Sequence, residues 1–201
     1  MRLITISREF GSGGKEFGSL LAKELGLSYY DREIITKVAE ETQLDEDYIE
    51  AVTEKKKAAH LLLPFENYTG VDPYETIVLQ AQRKVLLDIA AKDEDCVIIG
   101  RSAEVILQDY APFMIFVYAD IGARAARIRE RDEEAAAMKE KELLKQIRKV
   151  DKVRAGYYGL VSGDDWGDKE NYDLCINTTG KDLGKLVAPI AEYTRVWFEE
   201  A

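Results

Sequence analysis

Residues 3–15, which read LITISREFGSGGK, decide the fold of this chain. The β-branched run from Leu3 to Ile6 is typical of a buried strand. A glycine-rich turn follows, and the segment from Lys15 to Leu25 then carries apolar residues at helical spacing. Glycines let the backbone approach an anion closely, and the N–H groups and dipole at a helix start favour phosphate. The stretch therefore predicts a strand, a phosphate-binding turn and a helix.

The turn matches the Walker A phosphate-binding pattern only in part. That pattern has a glycine, four further residues and then Gly-Lys-Ser/Thr. Gly14 and Lys15 fit, and Lys15 would add a positive charge near the β- and γ-phosphates. Glu9 stands at the first glycine position, and Glu16 replaces the hydroxyl residue that binds Mg²⁺. The alternative interpretation is an ordinary glycine turn between a strand and a helix.

Composition limits the classes of partner. The chain has 201 residues, of which 46% are hydrophobic and 33% charged, and this is typical of a globular domain with or without an insert. The formal net charge of −10 argues against nucleic-acid binding, which needs a basic face to replace counterions. A local basic pocket can still bind a small phosphorylated substrate. We therefore expect a small-molecule nucleotide partner and no nucleic acid.

Cysteine usage and hydropathy favour a cytoplasmic protein. Cys96 and Cys175 lie in apolar runs without a CxxC motif, so we expect buried, reduced thiols. We see no signal peptide at the N-terminus, and no apolar run approaches the roughly 20 residues that span a bilayer. His60 alone is too little for a zinc site or a Ser-His-Asp triad.

Polar residues follow two further predicted strands. The run from Leu27 to Tyr30 ends at Asp31 and Arg32, and the apolar run from Cys96 to Gly100 is followed by Arg101. Open α/β sheets bind ligands at the carboxyl ends of their strands, which makes these side chains candidates for a binding site. Asp31 could equally cap the helix that follows it.

Strands and helices alternate along the whole chain, which predicts a parallel sheet with helices on both faces. We expect one domain over residues 1–201. Residues 42–72 change in character and include the helix breaker Pro64, so they form a candidate acceptor-binding insert. Residues 133–154 predict a long charged helix that ends at 157–159, and we expect residues 132–156 to form a mobile lid.

Six segments spread along the chain carry a family resemblance: ITISREFGSGGKE at 4–16, YYDREI at 29–34, IIGR at 98–101, ARAARI at 123–128, DKVRAGYY at 151–158 and NYDLCINT at 171–178. With these residues the chain resembles the cytidylate kinase-like family of P-loop nucleoside monophosphate kinases. The resemblance implies the three-layer P-loop NTPase fold, with a five-stranded parallel sheet. It also implies transfer of the γ-phosphoryl group from ATP, with Mg²⁺, to CMP or dCMP.

The resemblance also implies roles for single residues. Lys15, Arg101 and Arg154 would be catalytic. Asp31 and Arg32, together with Arg101, would bind the acceptor. The donor nucleotide would be held by the turn and by two distant arginines, namely Gly11, Ser12, Gly13, Gly14, Lys15, Glu16, Arg127 and Arg148. Phosphoryl transfer needs positioning and charge neutralisation, which such groups supply.

The chain departs from the family pattern at two sites. Glu16 and Phe17 stand where a Gly-Thr pair follows the P-loop lysine, and Ser102 replaces the aspartate of a Gly-Arg-Asp sequence. Metal ligands, acceptor identity and oligomeric state therefore stay open. The alternatives are a P-loop kinase of another small metabolite and a nucleotide-binding regulatory protein without turnover.

Overall fold

A five-stranded parallel sheet organises the protein. The computed structural model describes residues 1–50, Val52 and residues 73–200. The strand order is β2-β3-β1-β4-β5, and every neighbouring pair is parallel. The strands are β1 (Leu3–Arg8), β2 (Ser28–Tyr30), β3 (Cys96–Ile99), β4 (Phe113–Tyr118) and β5 (Leu174–Asn177). The predicted five-stranded parallel sheet is confirmed.

Helices connect successive strands. In chain order, the helices of the described residues are α1 (Gly14–Leu25), α2 (Arg32–Thr42), α3 (Glu46–Glu50), α4 (Pro73–Ala90), α5 (Ala103–Ile106), α6 (Ile121–Arg131), α7 (Glu133–Ala137), α8 (Glu140–Ser162) and α9 (Leu183–Glu200). Short 3₁₀ turns span Gln108–Tyr110 and Lys169–Asn171. None of the helices in the described ranges is long and apolar enough to cross a membrane.

Both faces of the sheet are buried, because strand residues alternate between two cores. Leu3 and Ile98 belong to the core that α2 and α4 cover. Ile4 and Ile99, one residue further along their strands, belong to the core that α1 and α9 cover. The three-layer P-loop NTPase architecture expected from the sequence is confirmed.

The long charged helix differs from its sequence prediction at both ends. Asp132 starts the short helix α7 by accepting bonds from the N–H groups of Glu134 and Ala135, at 2.9 and 3.1 Å. Met138 and Lys139, which lie between α7 and α8, have extended backbone conformations. The predicted end at residues 157–159 is wrong, since α8 continues to Ser162. Tyr157 and Tyr158 are buried there, so packing of their rings outweighs the helix-stop signal of the glycine that follows.

The candidate insert is described only at its start. Its first residues form the short helix α3, whose Ile49 is fully packed in the core under α2 and α4. The remainder, residues 53–72, lies outside the described residues. Its role in acceptor binding stays a prediction.

Candidate active site

The turn between β1 and α1 forms a cradle at the carboxyl edge of the sheet. Gly11 and Gly13 have φ angles of +80° and +87°, which lie in the region that favours glycine. A Cβ atom at Gly11 would lie 2.7 Å from Ile128 of α6, and one at Gly13 would lie 2.7 Å from Leu183 of α9. Gly13 occupies the N-cap position of α1 and offers no side-chain cap, and the N–H groups of a helix's first turn suit an anion.

Hydrogen bonds fix the shape of this cradle. The carbonyl of buried Ser12 accepts a bond from the Thr178 hydroxyl at 2.6 Å. Arg127 donates to the carbonyl of Gly11 at 2.9 Å and to that of Thr178 at 3.2 Å. Burial, with a smaller effect of neighbouring Arg131, lowers the pKa of Arg127, which nevertheless keeps its charge. The cradle is therefore formed before a ligand enters.

Lys15 and Asp31 face each other across the cavity mouth. The Lys15 Nζ atom lies 2.6 Å from Asp31 Oδ2, and 69% of the lysine side chain is exposed. Asp31 occupies the N-cap position of α2, but its side chain makes no capping hydrogen bond. Of the two interpretations of Asp31, the geometry favours a group that faces the cavity.

Arg8, the last residue of β1, lies against two glycines. It is only 8% exposed. A Cβ atom at Gly14 would lie 2.5 Å from the Arg8 Cβ and 3.1 Å from its Cγ. A Cβ atom at Gly100 would overlap Arg8 Nη1 and lie 2.7 Å from its Cζ. The Arg8 side chain therefore runs from the start of α1 to the end of β3 through space that glycines leave open.

Arg101 lies within a strained stretch of backbone. Gly100, Arg101 and Ser102 have φ angles of +66°, +65° and +49°, and the last two lack the freedom of glycine. Gln82 stabilises this stretch, because it donates to the Arg101 carbonyl at 3.2 Å and to the Tyr157 hydroxyl at 2.7 Å. Strain of this kind is typical of functional sites.

Arg154 of α8 reaches the same edge from the other side. Its Nη1 donates to the Arg8 carbonyl at 2.9 Å, and its guanidinium lies 5.9 Å from the centre of the Phe10 ring. Asp151, one turn earlier, accepts a bond from the Phe10 N–H at 2.7 Å and pairs with Arg124 of α6. The predicted lid segment is thus joined to the cradle, and its motion stays a prediction.

A buried carboxyl group lies behind Arg8. Glu104 of α5 is 2% exposed, and the Ser7 hydroxyl donates to its Oε1 at 2.6 Å. Among the described residues its Oε2 has no hydrogen-bond partner. Burial raises the pKa of Glu104, and the Ser7 bond and the charge of Arg8 oppose this effect only in part. Sequence reasoning missed this residue, because Glu in the first turn of a helix is ordinary.

These groups surround a cavity of about 760 Å³. Ten residues that the sequence singled out line it: Gly11, Gly13, Gly14, Lys15, Glu16, Asp31, Arg32, Arg101, Arg127 and Arg154. Ser12 does not line it, because this residue is fully buried behind the cradle. Arg148 does not line it either, since it is exposed elsewhere on α8. The structure therefore brings the donor-side and acceptor-side candidates together and leaves Arg148 apart.

Sequence reasoning missed several residues of the cavity wall: Arg8, Glu9, Tyr29, Glu50, Arg131 and Asp132. Glu9, which stands at the first glycine position of the Walker pattern, has a structural role here. Its carboxylate accepts a hydrogen bond from the Ala119 N–H, just after β4, at 3.0 Å. Burial raises the pKa of Glu9, while that bond and the charge of Arg124 oppose the rise. A detectable signal for Arg8 was its place at the end of the first strand, beside the glycine turn.

Two carboxylates at the cavity, those of Glu16 and Asp31, are paired with cations. Glu16 forms an ion pair with Arg131 at the end of α6, as Asp31 does with Lys15. In residues 1–50, 52 and 73–200, no three His, Cys, Asp or Glu side chains group as a metal-binding cluster. Protein ligands alone therefore do not form a metal cage in the described residues.

A parallel sheet, a glycine cradle at its carboxyl edge and convergent cations define a P-loop kinase of small molecules. Residues 3–180 match the cytidylate kinase-like family, and the chain belongs to that family. No curated protein matches the chain.

Solved structures show the same fold. An uncharacterized protein from Eubacterium ventriosum is 25% identical, with a TM-score of 0.68 over 97% of this chain and 99% of the other. Shikimate kinase from Bacteroides thetaiotaomicron is 14% identical, with a TM-score of 0.60 over 96% and 98%. Shikimate kinase from Acinetobacter baumannii, in complex with shikimate, is 15% identical, with a TM-score of 0.55 over 95% and 92%. Similarity to the two shikimate kinases shows the fold alone.

Proposed function

We propose that this protein transfers the γ-phosphoryl group of ATP to a nucleoside monophosphate, with CMP or dCMP as the acceptor. One observation carries the proposal. A single cavity joins the glycine cradle at one end to Asp31, Arg32 and Arg101 at the other. Membership of the cytidylate kinase-like family supports the same reaction.

The charge of the cavity suits two phosphorylated ligands. Seven basic residues line it, namely Arg8, Lys15, Arg32, Arg101, Arg127, Arg131 and Arg154. Five acidic residues line it, namely Glu9, Glu16, Asp31, Glu50 and Asp132. The site is thus locally positive in a chain of net charge −10, and this difference would draw anions to the cavity.

The chain's own residues would act by positioning and charge neutralisation. The cradle N–H groups would hold the donor phosphates, and Arg127 would keep the loop in shape. The acceptor phosphate is already an anion, so it needs orientation by guanidinium groups rather than proton removal. Lys15 would exchange Asp31 for oxygens of the acceptor phosphate when the nucleotides bind.

Mg²⁺ fits this site as a partner of the nucleotide. Asp31 and Glu16 offer one carboxylate each to the cavity, and Mg²⁺ is commonly held by one or two carboxylates together with substrate phosphates. Those two residues would hold the ion once their cation partners turn to phosphate. The ion would supply neutralisation of charge on the donor phosphates.

A second acceptor class follows from Arg101 and Ser102. The Arg101 fork suits a carboxylate as well as a phosphate, and Ser102 stands where the family pattern has an acidic residue. A kinase of another anionic metabolite is therefore the alternative, and residues 42–72 would choose between acceptors. Cys96 and Cys175 are free thiols, which suits the proposed cytoplasmic location.

The test is ADP release from ATP and Mg²⁺ with CMP, dCMP, UMP, AMP, GMP or shikimate as acceptor. We expect release with CMP and dCMP, and a loss of about 100-fold in Arg101→Ala, because an aimed cation is removed. Arg195→Ala is the matched control, since Arg195 forms exposed ion pairs with Glu192 and Glu24 away from the cavity. ADP release with shikimate alone would identify shikimate, rather than a nucleoside monophosphate, as the acceptor. If the protein binds ATP but releases no ADP with any of these acceptors, the kinase proposal fails and a nucleotide-binding regulatory protein is the remaining alternative.

A further inference from the structure

The residues of the cradle can be aligned with the Walker pattern in a second way. Helix α1 begins at Gly14, directly after Gly13 in its left-handed conformation. Counted with Gly13 as the last glycine of the pattern, Gly14 stands at the lysine position and Arg8 at the first glycine position. In this alignment a cation, Arg8, stands where the pattern has its first glycine, and a glycine, Gly14, stands where the pattern has its lysine.

The two positions are in contact. A Cβ atom at Gly14 would lie 2.5 Å from the Cβ of Arg8, a distance that real Cβ atoms do not show. Gly14 therefore has no room for a side chain while Arg8 is present. Arg8 fills that room, and its guanidinium lies over Gly100 at the end of β3.

Arg8 and Lys15 differ in their exposure to solvent. Lys15 extends outward at the mouth, where most of its side chain is exposed and its ammonium pairs with Asp31. Arg8 is almost fully buried and lines the cavity together with Gly13 and Gly14. A buried guanidinium acts in a medium of low dielectric constant, where its attraction for phosphate is stronger than at an exposed site. Its planar fork also binds two oxygen atoms at once.

We propose that Arg8, rather than Lys15, is the cation that contacts the β- and γ-phosphates of ATP, through a reciprocal exchange of the Walker glycine and lysine. The inference rests on the proposed function only in taking ATP as the ligand. Arg8 is then a catalytic residue, because it touches the group that is transferred. Lys15 is a residue of the cavity mouth that pairs with Asp31 in the absence of ligand.

The first experiment measures binding of ATP with Mg²⁺, and separately of AMP, by titration calorimetry without any acceptor. We expect Arg8→Ala to weaken ATP binding by about 10- to 100-fold, the range for a lost charge-assisted hydrogen bond. AMP binding should change by less than about threefold, since AMP lacks the β- and γ-phosphates. Lys15→Ala should weaken ATP binding by less than about threefold. A larger loss in Lys15→Ala than in Arg8→Ala would overturn the assignment.

The second experiment restores the ordinary pattern. Arg8→Gly removes the cation, and adding Gly14→Lys supplies a lysine in the space that Arg8 has left. We expect the double variant to bind ATP at least about tenfold more tightly than Arg8→Gly alone, because the two positions are coupled. Equal or weaker binding by the double variant would overturn the exchange. Melting temperatures verify folding, and Arg8→Lys replaces Arg8→Ala if the latter unfolds.

The outcomes separate this inference from the proposed function. ATP binding that depends on Arg8, without ADP release for any acceptor, would support the inference and remove the kinase proposal. ADP release that survives Arg8→Ala but not Lys15→Ala would support a kinase and overturn the role of Arg8. Wild-type protein that binds no ATP would overturn both.

Discussion

The cavity has two sides that differ in how their charges are held. The inner wall consists of Arg8, Gly14 and Arg101, with Gly100 packed against Arg8, and both of its arginines are buried. The outer rim consists of Lys15, Glu16, Asp31 and Arg131, where two ion pairs meet solvent. Backbone contacts and packing position the inner wall, whereas the rim depends on the long, largely exposed side chains of Lys15, Glu16 and Arg131 around the buried Asp31.

The charges of the inner wall are therefore held in place by the fold, whereas the charges at the rim can change partners. Exposed ion pairs contribute about 0–1 kcal/mol, so rim cations change partners at little cost. Inner-wall charges cannot relax toward water, and a phosphate that reaches them meets groups already oriented for binding. We therefore expect substitutions in the inner wall to affect function more than substitutions at the rim.

The largest effect should come from Gly100→Ala. The new methyl group would overlap the Arg8 guanidinium and displace it from the cavity. We expect ATP binding to weaken by about 10- to 100-fold and the free energy of unfolding to fall by at least about 1 kcal/mol. Calorimetric titration and denaturant unfolding measure the two quantities.

Gly26→Ala is the matched control for this variant. Gly26 has nearly the same φ, +67° against +66°, but nothing lies within 4 Å of a Cβ atom there. It should lose stability by about 1 kcal/mol from backbone strain and bind ATP normally. Equal ATP affinity in the two variants would show that Arg8 does not depend on Gly100.

The second effect concerns Glu104 behind the inner wall. Burial raises its pKa in the folded protein above the ordinary value of 4.5, so the folded state binds more protons than the unfolded state above that pH. The free energy of unfolding therefore falls as pH rises from 4.5 to the folded pKa, by about 1.4 kcal/mol per pH unit between the two values. Glu104→Gln should lack this contribution. Denaturant unfolding of both proteins between pH 4.5 and 8 measures the difference, and parallel curves would contradict a raised pKa.

The raised pKa of Glu104 also matters for the comparison of the two sides. An ionised carboxylate behind Arg8 would cancel much of the guanidinium's positive charge. The raised pKa lowers the ionised share of Glu104 at a given pH and so weakens this cancellation.

The smallest effect should follow Glu16→Gln at the rim. Its ion pair with Arg131 is exposed, so the free energy of unfolding should change by less than about 1 kcal/mol and even less at high salt. Measured without Mg²⁺, ATP affinity should rise by at most about fivefold, because one negative charge leaves the cavity. Glu24→Gln, which loses an exposed pair with Arg195, is the control. A tenfold loss of ATP binding in Glu16→Gln would instead assign this carboxylate to the donor site.

The fold was predictable because local patterns and tertiary structure agree. β-branched runs at Leu3–Arg8 and Cys96–Ile99 form strands buried on both faces, as continuous apolar runs should. The end of α8 was not predictable from Gly159, because burial of Tyr157 and Tyr158 depends on distant parts of the chain. Long-range packing of this kind is absent from any window of sequence.

The candidate site was predictable where a residue that lines the cavity comes directly after a strand. Asp31 and Arg101 were found because each comes immediately after a predicted strand. The place of Arg8 at the end of the first strand was a signal, but its contacts with Gly14 and Gly100 could not be read from the sequence. Glu104 was hidden for a similar reason, since nothing in its neighbourhood of sequence indicates its burial.

The contact between positions 8 and 14 restricts how such a chain could evolve. Two long side chains cannot occupy these positions together, because even a single Cβ atom at Gly14 lies 2.5 Å from that of Arg8. A lineage that moves between the two arrangements by single substitutions therefore passes through glycine at both sites, with no cation there. A single substitution therefore cannot convert one arrangement into the other.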